Sequence, residues 1–450
     1  MAVHERADQL RKALADTRSR TLGLVGGLDS TTLETVHSTL LSPLVWDLAH
    51  VACFEDEWMA RAAGVAPLRP ELFAVYDAAK TPRSRRGELK MLGTGETLAH
   101  MASVRSRTEE LLAKLDAGTL DLAELVIRHE QQHNETMLQL LQLAHLPSPF
   151  AGMAGTAVPG VGGATAAARR AQSGRAAQGG RTAESERTAQ GGLELIDIRG
   201  GVVTIGAPAE VGFAYDNERP AHVRTVPAFR LARTPATNAD WLEFMDAGGY
   251  QRQELWSAEG WQWRVREAVD RPLYWTQDGQ QWLLGRQAPI DGDLPVTHIS
   301  WFEAGAFAAF HGLRLPTEFE WEAAATAPAP GGLPQPFPWG RQPVTRLRAN
   351  VDQVAGGPAP AGTHDGATPS GLQSLIGDVW EWTASWFDGY PGFAAYPYRE
   401  YSEPFFGSHY RVLRGGSWAT RPLVISSTFR NWDFPQRRQI FAGVRLAGDL

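Results

Sequence analysis

Cysteine is nearly absent from this chain: Cys53 is the sole example in 450 residues. One thiol excludes an internal disulfide and any CxxC metal site. Long apolar runs are missing too. No stretch of about 18 apolar residues occurs, so nothing in the sequence is built to span a bilayer. The opening MAVHERADQLRK lacks an apolar core of signal-peptide length, which predicts a cytoplasmic protein. Nor is there a strong excess of one charge. Lys and Arg total 43 against 50 Asp and Glu, a net charge of -7. Such mild acidity gives no electrostatic reason to expect nucleic acid or an anionic membrane as partner.

Residues 151–191 contain no Leu, Ile, Phe, Tyr or Trp. They cannot bury enough apolar surface to offset their ordering entropy, and are expected to form a disordered Gly/Ala/Arg-rich linker. Of the 16 tryptophans, 14 lie beyond residue 240, so the two ends of the chain are built differently. This predicts a helical domain over 1–150 and a second domain over 192–450.

Before the linker the apolar period is near 3.6. It predicts helices over about 3–23, 42–61, 95–116 and 119–144, the arrangement of a four-helix bundle. Ser42-Pro43 reads as a cap followed by proline at the first helical position. The third helix places Leu98, Met101, Val104, Thr108, Leu111, Leu112 and Leu115 on one stripe. The connection over 62–94 is long for a compact domain, and such connections are often functional. After the linker, short segments such as 201–206 and 410–416 read as strands bounded by glycines. Helical patterns fall at Asn238–Asp246, Trp301–His311 and Glu318–Ala325. The whole is an α+β protein of two domains.

The strongest local signal is His129-Glu130-Gln131-Gln132-His133. Histidines at i and i+4 share one helix face, and here both fall on the apolar stripe of the fourth helix. Two imidazoles so placed can converge on one metal ion. Two satisfied core histidines are the plainer interpretation, but burying both without partners is costly. A third ligand is offered by His50 on the second helix, within reach of a facing helix in a bundle. Cys53, one turn on, is a weaker candidate and suits the role of a small buried hydrophobe. The same five residues match HExxH, in which Glu130 would be a general base. That motif takes its third ligand downstream, where little is on offer. Three neutral histidines suit zinc or iron(II) with open positions, and the residues alone do not choose between them.

The segment Arg430–Arg438 sets an Asp/Arg pair, Asp433 and Arg437, beside Trp432. Such a pair suits a zwitterionic amino acid, and a tryptophan face suits a quaternary ammonium. A surface salt bridge beside a packed tryptophan would look the same. Tyr390, Tyr396, Tyr398 and Tyr401 crowd one Pro/Gly-rich loop, and any of these phenols could serve as a proton donor.

Taken together, LVWDLAHVACFEDEW and HEQQHNETM resemble the N-terminal half of the hercynine oxygenases, the iron(II)-dependent sulfoxide synthases of ergothioneine biosynthesis. PVTHISWFEAGAFAAFHGLRLPTEFEWEAAA, GDVWEWTASWF, YRVLRGGSWAT and RNWDFPQRRQIFAGVRLA resemble the domain shared with formylglycine-generating enzymes. The resemblance covers nearly the whole chain outside the linker. It implies a DinB-like four-helix bundle followed by a C-type-lectin-like (formylglycine-generating-enzyme/sulfatase-modifying-factor) domain. By resemblance, His50, His129 and His133 would bind one Fe(2+). The implied reaction joins the sulfur of a thiol to carbon 2 of the imidazole of hercynine, using dioxygen and leaving a sulfoxide. Tyr398 would donate a hydrogen bond or proton at the oxygen site. Asp433 and Arg437 would hold γ-glutamylcysteine. Arg83 or Arg86, with Arg86 preferred, would bind a carboxylate of the same substrate. Gln132, Asn431 and Trp432 would contact hercynine. Formylglycine-generating activity relies on cysteines, and none lies beyond Cys53. Two rivals carry over: a zinc-dependent thiol transferase on a similar bundle, and a binding module with a structural metal.

Overall fold

A computed structural model of the chain describes residues 3–146, 148–149, 193–326 and 335–450. The expected linker at 151–191 lies outside the described residues. The chain divides into two compact units, Met1–Ala151 with Leu284–Arg286, and Gly152–Leu283 with Gln287–Leu450.

The first unit is helical. Its long helices are α1 (Val3–Val25), α3 (Leu44–Ala63), α5 (Thr94–Leu112) and α6 (Leu120–Leu143), with short α2 (Ser30–Glu34) and α4 (Phe73–Tyr76) between them. Helix α3 packs against α5 and α6, and α1 against α6. Residues 44–56 of α3 are all buried, so this helix is enclosed on every side and carries charged groups inward. Gly64 ends it in the left-handed region (φ 65°), where its N–H reaches the carbonyls of Ala60 and Arg61; a residue without Cβ adopts that turn without strain.

Two expectations are corrected. Pro43 is the N-cap of α3 rather than its first helical residue, and no side chain caps the helix. Ser42 is instead committed elsewhere: its Oγ accepts from Arg86 Nη1 at 2.6 Å. Leu98 is 39% exposed rather than on the buried stripe, because the apolar face of α5 runs through Met101, Val104, Thr108, Leu111 and Leu112. Leu115 is buried beyond the helix end.

Inside the bundle lies a closed charge cluster. Arg18 of α1 donates to Glu55 of α3 (2.8 Å) and Glu130 of α6 (2.7 Å), and Arg105 of α5 reaches the same two carboxylates at 2.8 and 3.1 Å. Two cations and two anions thus tie four helices together.

The second unit mixes strands and helices. Strands β1 (Leu195–Ile198), β4 (Phe229–Ala232) and β11 (Ala447–Asp449) form an antiparallel sheet in the order β1-β4-β11, so both ends of this domain meet on one strand. A second sheet runs β10-β7-β8-β9, from β7 (Trp380–Trp386), β8 (Arg411–Arg414), β9 (Asn431–Asp433) and β10 (Ala442–Gly443). Hairpins β2 (Gly201–Ile205) with β3 (His222–Val226), and β5 (Gln280–Leu283) with β6 (Arg286–Pro289), complete the strands. Helices are α7 (Asn238–Asp246), α8 (Ala258–Arg266), α9 (Trp301–Phe310) and α10 (Glu318–Thr326). Capping boxes start α7 at Thr237 and Asp240, and α9 at Ser300 and Glu303, the reciprocal bonds that satisfy first-turn N–H groups. Arg445 joins the sheets: it pairs with Glu381 of β7 and donates to the carbonyls of Ala232 and Arg233 at the end of β4. Among the described residues, no helix is long and apolar enough to cross a membrane.

Candidate metal centre

Helix α6 turns His129 and His133 to one face, and α3 brings His50 opposite. Ring nitrogens of the three all lie within 4.8 Å of one another. His50 Nε2 and His129 Nε2 are 3.2 Å apart, a separation at which both can sit about 2.1 Å from one shared ion. The widest pair must draw slightly closer to do the same.

The surroundings fix the rings. His50 Nδ1 lies 2.6 Å from the carbonyl of Tyr76. A carbonyl only accepts, so Nδ1 carries the proton and Nε2 presents a lone pair. Trp46 stacks on His50 (4.8 Å between centroids, 15° between planes), and Phe54 stacks on His129 (3.7 Å, 11°). Tyr76 belongs to the 62–94 connection, which therefore does contribute to the site. Burial, the neighbouring His133 and, for His50, Arg86 hold His50 and His129 well below the usual imidazole range, against the pull of the Tyr76 carbonyl. Held neutral, the two imidazoles face each other through their Nε2 atoms, a contact in which His50 Nε2 can only accept. Buried Nδ1 of His129 has no hydrogen-bond partner. This donor set fits a divalent cation: it is nitrogen-rich, and two of its three imidazoles are buried and held neutral.

Nearby groups sort into ligand, support and core. Asp47, one turn before His50, places Oδ1 3.3 Å from His133 Nδ1; the sequence pattern did not single it out. Cys53 is not among the converging ligands. Its Sγ is 3.9 Å from His100 Nε2, it packs with Trp46, Ala49, Leu72 and Tyr76, and burial pushes its thiol up to about 12. That is a core thiol. Glu130 is turned into the charge cluster with Arg18 and Arg105 and also accepts from Thr21 at 2.7 Å. A carboxylate so occupied cannot serve as the free base of an HExxH protease.

Arg83 and Arg86 share a 3-10 turn, Arg83–Glu88. Arg83 is exposed and Arg86 buried. Arg86 lies over the Trp46 ring at 3.6 Å, with Nε donating to the Thr81 carbonyl at 2.9 Å. Arg86 is thus one layer behind His50, through Trp46. Gln132 is half-buried on α6.

The second unit gathers the remaining candidates around β9. Asn431, Trp432 and Asp433 are β9 itself, paired to β8. Trp432 stacks on Phe387 (4.0 Å, 8°) and meets the edge of Tyr401 at 5.9 Å; Tyr401 in turn meets Tyr398 at 6.1 Å. Tyr398 opens the 3-10 turn Arg399–Tyr401. Asp433 Oδ1 accepts from the Phe434 N–H at 2.8 Å, and Arg437 Nε stands 3.7 Å away, a loose ion pair. Arg430 and Arg438, in the same segment, are instead tied to Glu318 and Glu303. Asp216 pins the tyrosine loop by accepting from Ser402 Oγ.

Two family profiles divide the chain. Residues 13–137 match the DinB superfamily, and residues 181–450 match the Sulfatase-modifying factor enzyme 1-like domain. The class is therefore a DinB-type bundle with a three-histidine site joined to a sulfatase-modifying-factor-type domain. Over the full chain the sequence is 42% identical to the hercynine oxygenase of Mycolicibacterium thermoresistibile, covering 96% of that protein. It is 44% identical, over 98% of the chain and 99% of the relative, to the hercynine oxygenase of Mycobacterium tuberculosis. Half of the chain is 34% identical to the inactive C-alpha-formylglycine-generating enzyme 2 of Mus musculus, covering 74% of that protein. This chain belongs to the hercynine oxygenase family and is an oxidoreductase.

Proposed function

We propose that the chain catalyses the iron(II)-dependent union of γ-glutamylcysteine with hercynine, as a step of ergothioneine biosynthesis. The observation that carries this reading is the convergence of His50, His129 and His133, of which His50 and His129 are buried and held neutral. Those three residues would hold the ion. Once bound, iron(II) supplies open coordination positions and redox chemistry with dioxygen. The reaction balances without another reductant. One hydrogen leaves the thiol and one leaves carbon 2 of the imidazole. One oxygen atom ends on sulfur, and the other departs as water with both hydrogens.

The remaining roles fall to side chains. Trp432 and Asn431 of the second unit bind hercynine, an aromatic and polar surface suiting a trimethylammonium group better than a basic one; Gln132 of the first unit is a further hercynine contact. Asp433 and Arg437 take the amino and carboxylate groups of the γ-glutamyl end. A thiol donor without that end would leave the pair idle, which favours γ-glutamylcysteine over cysteine. Arg86, with Arg83 of the same turn as the alternative, binds a further carboxylate. Tyr398 holds a proton where oxygen is reduced, and so directs the outcome towards sulfoxide rather than thiol oxidation.

An aerobic reaction with iron(II), hercynine and each thiol separately, read by mass spectrometry, tests the proposal. The sulfoxide should form with γ-glutamylcysteine, and oxygen uptake should require both substrates. No sulfoxide from iron-loaded protein with both present would defeat it.

A further inference from the structure

We infer that Asp47 orients His133 for the metal ion and supplies the negative charge of the site. The inference rests on the metal reading above.

Asp47 lies on α3 and is 1% exposed. Among the described residues, neither carboxylate oxygen has a hydrogen-bond partner of good geometry. A buried carboxylate without donors is costly, and persists when opposite charge compensates it. Two groups face it. His133 Nδ1 is 3.3 Å from Oδ1, and the buried guanidinium of Arg86 attracts it from the 83–88 turn. A cation held by His133 would add the missing charge on the other side of the ring.

The three ligands are also held unequally. His50 is fixed by the Tyr76 carbonyl and the Trp46 stack, and His129 by the Phe54 stack. His133 has the most exposed ring of the three, and its defined polar neighbour is Asp47. The two atoms are close but not aligned as a hydrogen bond; a carboxylate only accepts, so a turn of the ring that closes this contact puts the proton on Nδ1 and leaves Nε2 for the ion. Asp47 is not among the converging ligand atoms. It is a positioning residue. Helix α3 therefore presents a ligand and the support for another ligand one turn apart.

The test is anaerobic titration of the metal-free full chain with Co(II), followed by its visible absorption. Outer partners of metal-bound histidines are worth about 10–100-fold in affinity. Asp47→Asn, which keeps the shape and loses the charge, should weaken binding about 10-fold. Asp47→Ala should weaken it further and shift the absorption band, and Asp47→Glu should recover part of the loss. Melting curves of the metal-free forms separate a purely structural role, which would lower the melting temperature and leave cobalt affinity unchanged. Affinity of Asp47→Asn within twofold of wild type overturns the inference while the metal reading stands. A wild-type chain that binds no cobalt overturns both. If Asp47→Ala does not fold, the isosteric Asn variant still decides.

Discussion

Helix α6 sends two adjacent side chains into two different buried clusters. Glu130 enters a closed one, in which Arg18, Arg105, Glu55 and Glu130 satisfy one another. His129 enters an open one, in which its Nδ1 has no hydrogen-bond partner and the oxygens of Asp47 lack a well-aligned donor. Both are polar and both sit in the bundle interior. The closed cluster is complete as protein and fixes four helices. The open cluster is complete only with something added. Full satisfaction marks structure, and its absence marks function.

That contrast can be broken by substitution. The largest effect is expected from His129→Ala: iron binding should be abolished, with the fold retained, as read by metal analysis and circular dichroism. Iron held at one equivalent would remove His129 from the ligand set. Next, Tyr398→Phe should keep iron but lower sulfoxide yield by about 10²–10⁴-fold and divert turnover to thiol oxidation; an unchanged product would strip the phenol of its role. In the closed cluster, Glu130→Gln should cost about 3–5 kcal/mol in urea unfolding by stranding buried arginines. If instead stability holds and activity alone disappears, Glu130 is a catalytic base and the cluster is misread.

Smaller effects sharpen the same comparison in the second unit. Burial pushes the Asp216 carboxyl up to about 6, against the hydrogen bond from Ser402. In the unfolded chain it titrates near 3.9. The folded state therefore binds the proton more tightly, and this group's contribution is fully present below about pH 4 and lost as pH rises through 6. Wild type should lose about 2–3 kcal/mol of stability from this group across that window, and Asp216→Asn should flatten the slope. Equal slopes in paired urea melts at pH 4.5, 6 and 7.5 would contradict the assignment. Smallest of all, Asp433→Asn should raise the KM for γ-glutamylcysteine about 10-fold and leave that for hercynine near wild type. A rise in both would mean that β9 itself has been disturbed.

The bundle was largely legible because its chemistry repeats with the helix. His129 and His133 share a turn, and the apolar stripe says which way they point. Asp47 shows where that legibility stops. Its importance comes from His133, 86 residues away in sequence, and no local pattern reports that distance. Ser42 misled for the same reason: it looks like a cap, yet a distant arginine claims its hydroxyl. In the second unit, the short glycine-bounded strands and the helical patterns at Asn238–Asp246, Trp301–His311 and Glu318–Ala325 announced themselves. Helix α8 did not, because Gly260, Trp261 and Trp263 obscure its period; the remaining signal was Ser257, which caps it by accepting from the Gly260 N–H. Glu130 could be weighed against the HExxH reading only once its partners were known, since three of them come from other helices.

X-ray absorption at the iron edge of the reconstituted, oxygen-free protein addresses the ligand set most directly. The expected result is a first shell of nitrogen and oxygen at about 2.1 Å, with outer-shell scattering from three imidazoles. A sulfur scatterer near 2.3 Å, or scattering from fewer than three imidazoles, would contradict it.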